Sequence, residues 1–326
     1  MRFIILVVIL ALVLISGCTR TELVEEVIQE ATQEETITSD TPVISKPNIT
    51  EKTPRWGKES FKVFIDEESS GGVFGFEQRF IEIFKQSVQK LNNDVNNKFS
   101  FTFTNERDAD MVVKWVSALP SNSLDAIGHT ELKFSVGPSF NVINSAEISL
   151  LASKDGRELT DNQVMLLSMH ELGHALGLDH SQNKKSIMFP QLQDDISDLH
   201  AEDIEAISQL YKVAPLPDLK IQNTYVIKRV ISQGFTKYYL ADVNFSIVND
   251  GLSDAEKFGF LISVGDRDVE NNSTLLKPGS IYTIKYTNIS SATDFSEIII
   301  KVDPENKIKE LNESNTKIIR IEKKDG

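Results

Sequence analysis

The sequence predicts two folded domains: an α+β domain built on a mixed sheet with a histidine-bearing helix, then an all-β antiparallel sandwich. Three observations predict this. Residues 170–180 read H-E-L-G-H-A-L-G-L-D-H, a histidine spacing that belongs on a helix. Residues 55–213, the length of one domain, mix strand-period with helix-period segments. Residues 218–326 carry alternating β-branched runs and turn signals but no helical period.

Within the first domain, Phe61, Val63 and Ile65 alternate with polar residues as in a half-buried strand. From Phe76 to Leu91, the apolar residues Phe80, Ile81, Phe84, Val88 and Leu91 fall on one face of a helix. Phe99, Phe101 and Phe103 alternate again, and Met111–Val116 is a further apolar strand. Ile127–Phe134 reads as an edge strand and Ala146–Leu151 as its neighbour. Thr160 and Asp161 supply N-cap chemistry for the helix that follows. Val164, Leu167, Glu171 and His174 share one side of it, so ionisable groups face inward, which suits a site better than a plain core. Leu199–Tyr211 is a closing helix that packs through Ile204, Ile207 and Tyr211.

His170 and His174, four positions apart, project from one helical face. Two imidazole nitrogens so placed can share one zinc ion at roughly 2.0–2.1 Å. Glu171 lies beside the first histidine, where its carboxylate reaches a water rather than the metal. Gly177 can end the helix at little steric cost, so the chain turns and delivers His180 as a third ligand. Three protein ligands leave a fourth position open, the mark of a catalytic rather than a structural zinc site. An amphipathic core helix with surface histidines is the bland alternative. It does not explain why three of the five histidines in the chain fall within eleven residues.

The pattern H-E-x-x-H-x-x-G-x-x-H, followed by Ser186-Ile187-Met188-Phe189-Pro190, resembles the metzincin zinc-peptidase signature with its Met-turn. Ser181, directly after the third histidine, is similar to the matrixin branch, which contains the matrix metalloproteinases. Arg55-Trp56 and Ala109–Val113 look like further landmarks of that branch. The resemblance implies a zincin fold, with Met188 as an apolar floor beneath the metal and not a ligand. It implies that the edge strand binds an extended peptide through Ile127, Gly128, His129 and Thr130. Pro190 and Gln191 then fall in the wall of the main side-chain pocket, where Leu192 replaces the family's usual tyrosine. Asp203 matches a family acid that in some members anchors the mature N-terminus. Matrix metalloproteinases hold a second, structural zinc through three more histidines and an aspartate. Only His129 and His200 are left over here, so one zinc is expected. Calcium sites of carboxylates and carbonyls stay open, since no recognised loop spacing occurs.

Ahead of this domain, Met1–Ser16 is an apolar run with one arginine, shorter than the ~20 residues a spanning helix needs. Ile15-Ser16-Gly17-Cys18 resembles a lipobox, which implies signal cleavage and lipidation of Cys18. A signal cut without lipidation and an uncut anchor are the alternatives, and all three export the protein to the outer face of the cell membrane or beyond. Cys18 is the one cysteine, so no intramolecular disulfide can form, and because it lies at the signal cleavage site no pro-segment thiol switch of the matrix metalloproteinase kind is expected. Residues 19–54, rich in Thr and Glu with three prolines from Pro42 on, read as a disordered tether. Leu23, Val24, Val27 and Ile28 have the spacing of a short helix within it. The formal net charge of −14 argues against nucleic-acid binding.

Past the stiff break Pro215-Leu216-Pro217, the turns at Asn249-Asp250-Gly251, Lys277-Pro278-Gly279 and Val302–Asn306 resemble CARDB domains, as does Glu310–Asn315. These are immunoglobulin-like modules of prokaryotic surface proteins, which implies spacing, or recognition of surface proteins or glycans. The expected function is a surface-tethered zinc endopeptidase acting on protein or peptide substrates, with Glu171 as general base. A non-catalytic surface adhesion protein and a zinc amidase acting on cell-wall peptides are the competing readings.

Overall fold

A computed structural model describes residues 49–120, 126–193, 196 and 198–321, together with the backbone of strands β1 (Val24–Gln29) and β2 (Glu34–Thr38). The apolar run Met1–Ser16 and the lipidation candidate Cys18 lie outside the described residues. In the first domain follow β3 (Arg55–Trp56), β4 (Ser60–Ile65), α1 (Glu67–Ser70), α2 (Arg79–Asp94), β5 (Ser100–Thr104), β6 (Met111–Val116), β7 (Gly128–Val136) and β8 (Asn141–Leu151). The short pair β9 (Ser153–Lys154) and β10 (Arg157–Glu158) precedes α3 (Asp161–Ala175) and α4 (Ala201–Leu210).

The sheet of this domain runs β2-β7-β8-β6-β4-β5, with β3 also against β8. Its β8-β6-β4-β5 portion is parallel and β7 is antiparallel to β8, which makes the sheet mixed. Alternation sets the buried face: Phe61 and Val63 of β4, and Met111, Val113 and Trp115 of β6, are buried. Against that face packs α2 through Phe80, Ile81, Phe84, Val88 and Leu91, the residues its period selects. The helix starts at Arg79 rather than Phe76, whose ring instead lies 5.1 Å from that of Trp115. α3 is buried on nearly every side, as expected of a helix held between a sheet and the rest of the core.

Two ties fix the far end of α3. Trp56 Nε1 donates to Ala175 O at 2.8 Å, and the Tyr211 hydroxyl donates to Leu176 O at 2.8 Å. Both satisfy carbonyls that the last helical turn leaves without partners. The buried Arg55 guanidinium donates to Leu210 O at 2.9 Å and so links β3 to the end of α4.

Residues 49–54 pack on this domain, although composition alone places them in the tether. Ile49 lies against the core, and the Asn141 side chain donates to Lys52 O at 2.8 Å. Earlier in the same stretch, Val24–Gln29 is a strand rather than a short helix, as its β-branched Val24, Val27 and Ile28 favour. β2 adds antiparallel to β7, with Glu34 opposite Ser135 and Thr38 opposite Glu131.

The second domain has two four-stranded antiparallel sheets. Its strands are β11 (Leu219–Gln233), β12 (Thr236–Asn249), β13 (Gly259–Val264), β14 (Arg267–Asn272), β15 (Ile281–Ser291), β16 (Glu297–Val302) and β17 (Thr316–Arg320). One sheet runs β1-β15-β12-β11 and the other β14-β13-β16-β17. Inward residues of both, among them Phe245, Ile284, Phe260 and Ile300, make one core, which is the sandwich the alternation predicted.

Asn249 organises its entry turn. With no exposed surface, its Nδ2 donates to Ser253 O and Leu276 O, both at 2.8 Å. Its Oδ1 accepts from Asp218 N and Gly251 N, both at 3.1 Å. Every hydrogen-bonding position of the amide is used. Asn249→Ala should therefore cost roughly 2–4 kcal/mol, since buried partners are left without mates. Denaturant unfolding followed by tryptophan-independent circular dichroism checks this, and a change below about 0.5 kcal/mol would contradict it. The two domains meet where Ser139 N and Oγ donate to Asp250 at 2.6 and 2.7 Å, beside the cluster of Phe140, Val142 and Leu252.

Candidate metal centre

The Thr160 hydroxyl accepts from Gln163 N while the Gln163 side chain returns to Thr160 N, a capping box that starts α3. Fourteen residues on, the helix ends where Gly177 takes φ +94°, in the left-handed region. A side chain there would also strike Pro54 O, 2.1 Å from an ideal Cβ, so glycine is required twice over. The turn brings Leu178 N back to Gly173 O at 3.0 Å and leads the chain to His180.

The three sequence-predicted ligands converge. One ligand nitrogen each of His170, His174 and His180 lies within 4.8 Å of the others. His170 and His174 are buried and His180 half-buried, with ring centroids 4.7–5.2 Å apart. His170 Nδ1 lies 2.7 Å from Ile187 O, and His174 Nδ1 lies 2.7 Å from Leu178 O. A carbonyl oxygen can only accept, so both Nδ1 atoms carry the proton and both Nε2 atoms present lone pairs. Those two Nε2 atoms face each other at 3.1 Å. Two acceptors at that distance repel unless a cation lies between them, so the residues fit a bound metal ion.

Burial, with His180 close by, holds the His170 imidazole down at about 4. Burial, helped by His170 and His180, holds His174 well below its usual range. Both rings are thus neutral at pH 7, the form in which an imidazole can bind a metal.

Met188, the expected floor, is buried against α3, which makes room for it. The thioether sulfur lies 2.3 Å from where a Cβ on Gly173 would stand, so only glycine admits it. The Met-turn is held from α4. Asp203, 2% exposed, accepts from Ser186 Oγ, from Ile187 N at 3.0 Å and from His200 N at 2.9 Å. Ser186 Oγ accepts in turn from Met188 N at 2.9 Å. Burial raises the Asp203 carboxyl above its usual range, with these donors pulling the other way. Sequence reasoning left the role of Asp203 open, quoted Ser186 only as the start of the Met-turn, and gave Gly173 no role. The signal for Asp203 was His200-x-x-Asp203, a capping-box spacing ahead of an apolar run.

Of the expected peptide-binding residues, Gly128, His129 and Thr130 stand at the start of β7, and Ile127 just before it gives its carbonyl to Leu151 N at 2.8 Å. β8 pairs one side of β7 throughout, and β2 covers the other only from Glu131 to Ser135. The outer edge at Gly128–Thr130 is free among the described residues. His129 is buried on β7, with no partner for Nδ1 among the described residues, and His200 caps α4. They lie on separate elements. Pro190 is exposed after the Met-turn, and Leu192 is half-buried against the core.

A mixed sheet with an H-E-x-x-H helix, a glycine turn to a third histidine and a methionine floor defines the metzincin class. Residues 76–212 match the family model described as Matrixin, and residues 216–319 match CARDB. The first domain is accordingly a matrixin domain, and the second a CARDB domain. "Probable matrix metalloproteinase 095L" of Invertebrate iridescent virus 3 is 30% identical over 129 residues, covering 38% of this chain and 35% of that protein. "Macrophage metalloelastase" of Oryctolagus cuniculus is 51% identical over 51 residues, covering 15% of this chain and 11% of its own. The chain spans about a third or less of these curated relatives. A CARDB domain from Pyrococcus furiosus, solved with di-metal ions, covers 33% of this chain and 90% of its own at 17% identity and a TM-score of 0.24.

Proposed function

We propose that this protein is a surface-tethered zinc endopeptidase that cleaves extended or unfolded protein segments. The observation that carries the proposal is the convergence of two neutral, carbonyl-oriented imidazoles with His180, on a helix where Glu171 directly follows His170. A zinc ion in that cluster would act as a Lewis acid on the scissile carbonyl and bring the attacking water toward ionisation near neutral pH.

The chain's own residues do the rest. Glu171 takes the proton of the attacking water and passes it to the leaving amine. An extended peptide adds to the outer edge of β7 at Gly128–Thr130, where main-chain bonds hold it across the site. Only a flexible segment can pair in this way, so folded substrates should resist. Lipidation of Cys18 would hold the enzyme at the outer face of the membrane, with the CARDB domain as spacer or recognition module. Among the described residues no helix is long and apolar enough to cross a membrane.

The test is cleavage of unfolded casein beside a panel of cell-wall peptide fragments. Casein cleavage that a chelator abolishes and added zinc restores supports the endopeptidase. Cleavage of wall fragments alone would replace it with the amidase. Bound zinc without any cleavage would favour an adhesion protein.

A further inference from the structure

Glu171 does not stand alone beside the histidines. The buried Thr130 hydroxyl lies 2.6 Å from Glu171 Oε2 and 3.1 Å from the Glu171 carbonyl oxygen. A hydroxyl has one proton, and the shorter contact to the charged oxygen takes it. On the same strand, an ideal Cβ at Gly128 would fall 2.3 Å from Glu171 Oε1 and 2.7 Å from Leu167 Cδ1. The carboxylate therefore occupies space that any residue other than glycine would fill. Gly128 and Thr130 sit two apart, on one face of β7, as strand geometry requires for residues that meet the same partner.

We propose that Thr130 is a positioning residue for the general base: its hydroxyl holds the Glu171 carboxylate through Oε2 while Oε1 is seated over Gly128. A free glutamate rotates about three side-chain bonds, and a hydrogen bond to Oε2 in a buried seat restricts that freedom before substrate arrives. The arrangement has a second consequence. Thr130 belongs to the strand segment whose outer edge is open, so a peptide that pairs there steadies the strand that orients the base.

This inference rests on the peptidase reading, and the test separates the two. The native sequence, Thr130→Val and Thr130→Ser are compared on unfolded casein and on a short peptide it yields, with zinc content measured for each. Valine keeps the shape of threonine and loses the hydroxyl; serine keeps the hydroxyl and loses the methyl group. A positioning hydroxyl predicts that Thr130→Val loses about 10- to 100-fold in kcat with KM and zinc content little changed, the range expected for a bond to a charged group. Thr130→Ser should stay within about threefold of the native enzyme. A purely packing role reverses that order, with valine native-like and serine impaired, and would overturn the inference. Should Thr130→Val fail to fold, Thr130→Ser still decides, because an impaired kcat there contradicts the proposal. A native protein that binds zinc and cleaves nothing removes the peptidase reading, and the inference with it.

Discussion

Glu171→Ala is expected to bind zinc as the native protein does and to lose peptide cleavage by roughly 10²–10⁴-fold, the range in which a positioned base contributes. The reason lies in the division of roles on α3. The metal-facing nitrogens come from His170, His174 and His180, so removing the carboxylate takes away no ligand. What it takes away is the proton acceptor beside them. Glu171→Gln sharpens the test, since the amide oxygen can still accept from the Thr130 hydroxyl, which in the native chain lies 2.6 Å from Oε2. The seat is then kept while the basicity is gone. Both variants should be equally inactive, and an active glutamine variant would mean that Glu171 positions water without accepting its proton.

The second large effect is expected at Asp203, which lies on α4, well past His180 in the chain. Asp203→Ala leaves Ile187 N, His200 N and Ser186 Oγ without their buried acceptor. Each such group costs about 1–3 kcal/mol, so a loss of roughly 3–5 kcal/mol in stability is expected. The damage should also reach the metal. Ile187, whose N–H Asp203 holds, offers the carbonyl that orients His170 through a 2.7 Å bond. Loosening an orienting partner of that kind costs roughly 10–100-fold in metal affinity. Thermal unfolding and competition with a chelator measure the two effects separately. A variant of native stability and native zinc affinity would show that the Met-turn does not depend on α4.

How much of this the sequence disclosed differs between side chain and backbone. Histidine spacing announced the convergence of His170, His174 and His180, because a helix fixes where residues four apart must point. The Thr160 cap and the alternation at Phe61, Val63 and Ile65 were equally local signals, and α3 and β4 formed where they were expected. The atoms that orient the histidines left no such trace. They are the carbonyls of Ile187 and Leu178, which any residue could supply. Gly173 and Gly128 were legible as glycines but not as necessities. The side chains that exclude a Cβ, from Met188 and Glu171, arrive by tertiary packing. The strand pairing of 24–29 and 34–38 was hidden for another reason, since a Thr- and Glu-rich composition describes a chain's average and not the edge beside which it lies.

The most direct measurement is activity against zinc. Protein stripped of metal is titrated with zinc while cleavage of unfolded casein is followed. Cleavage is expected to be absent at the start, to rise linearly, and to reach a plateau at one zinc per chain. A plateau at two zinc ions would give the protein a second site that His129 and His200 alone do not provide. One tightly bound zinc with no cleavage at any point would contradict the endopeptidase itself.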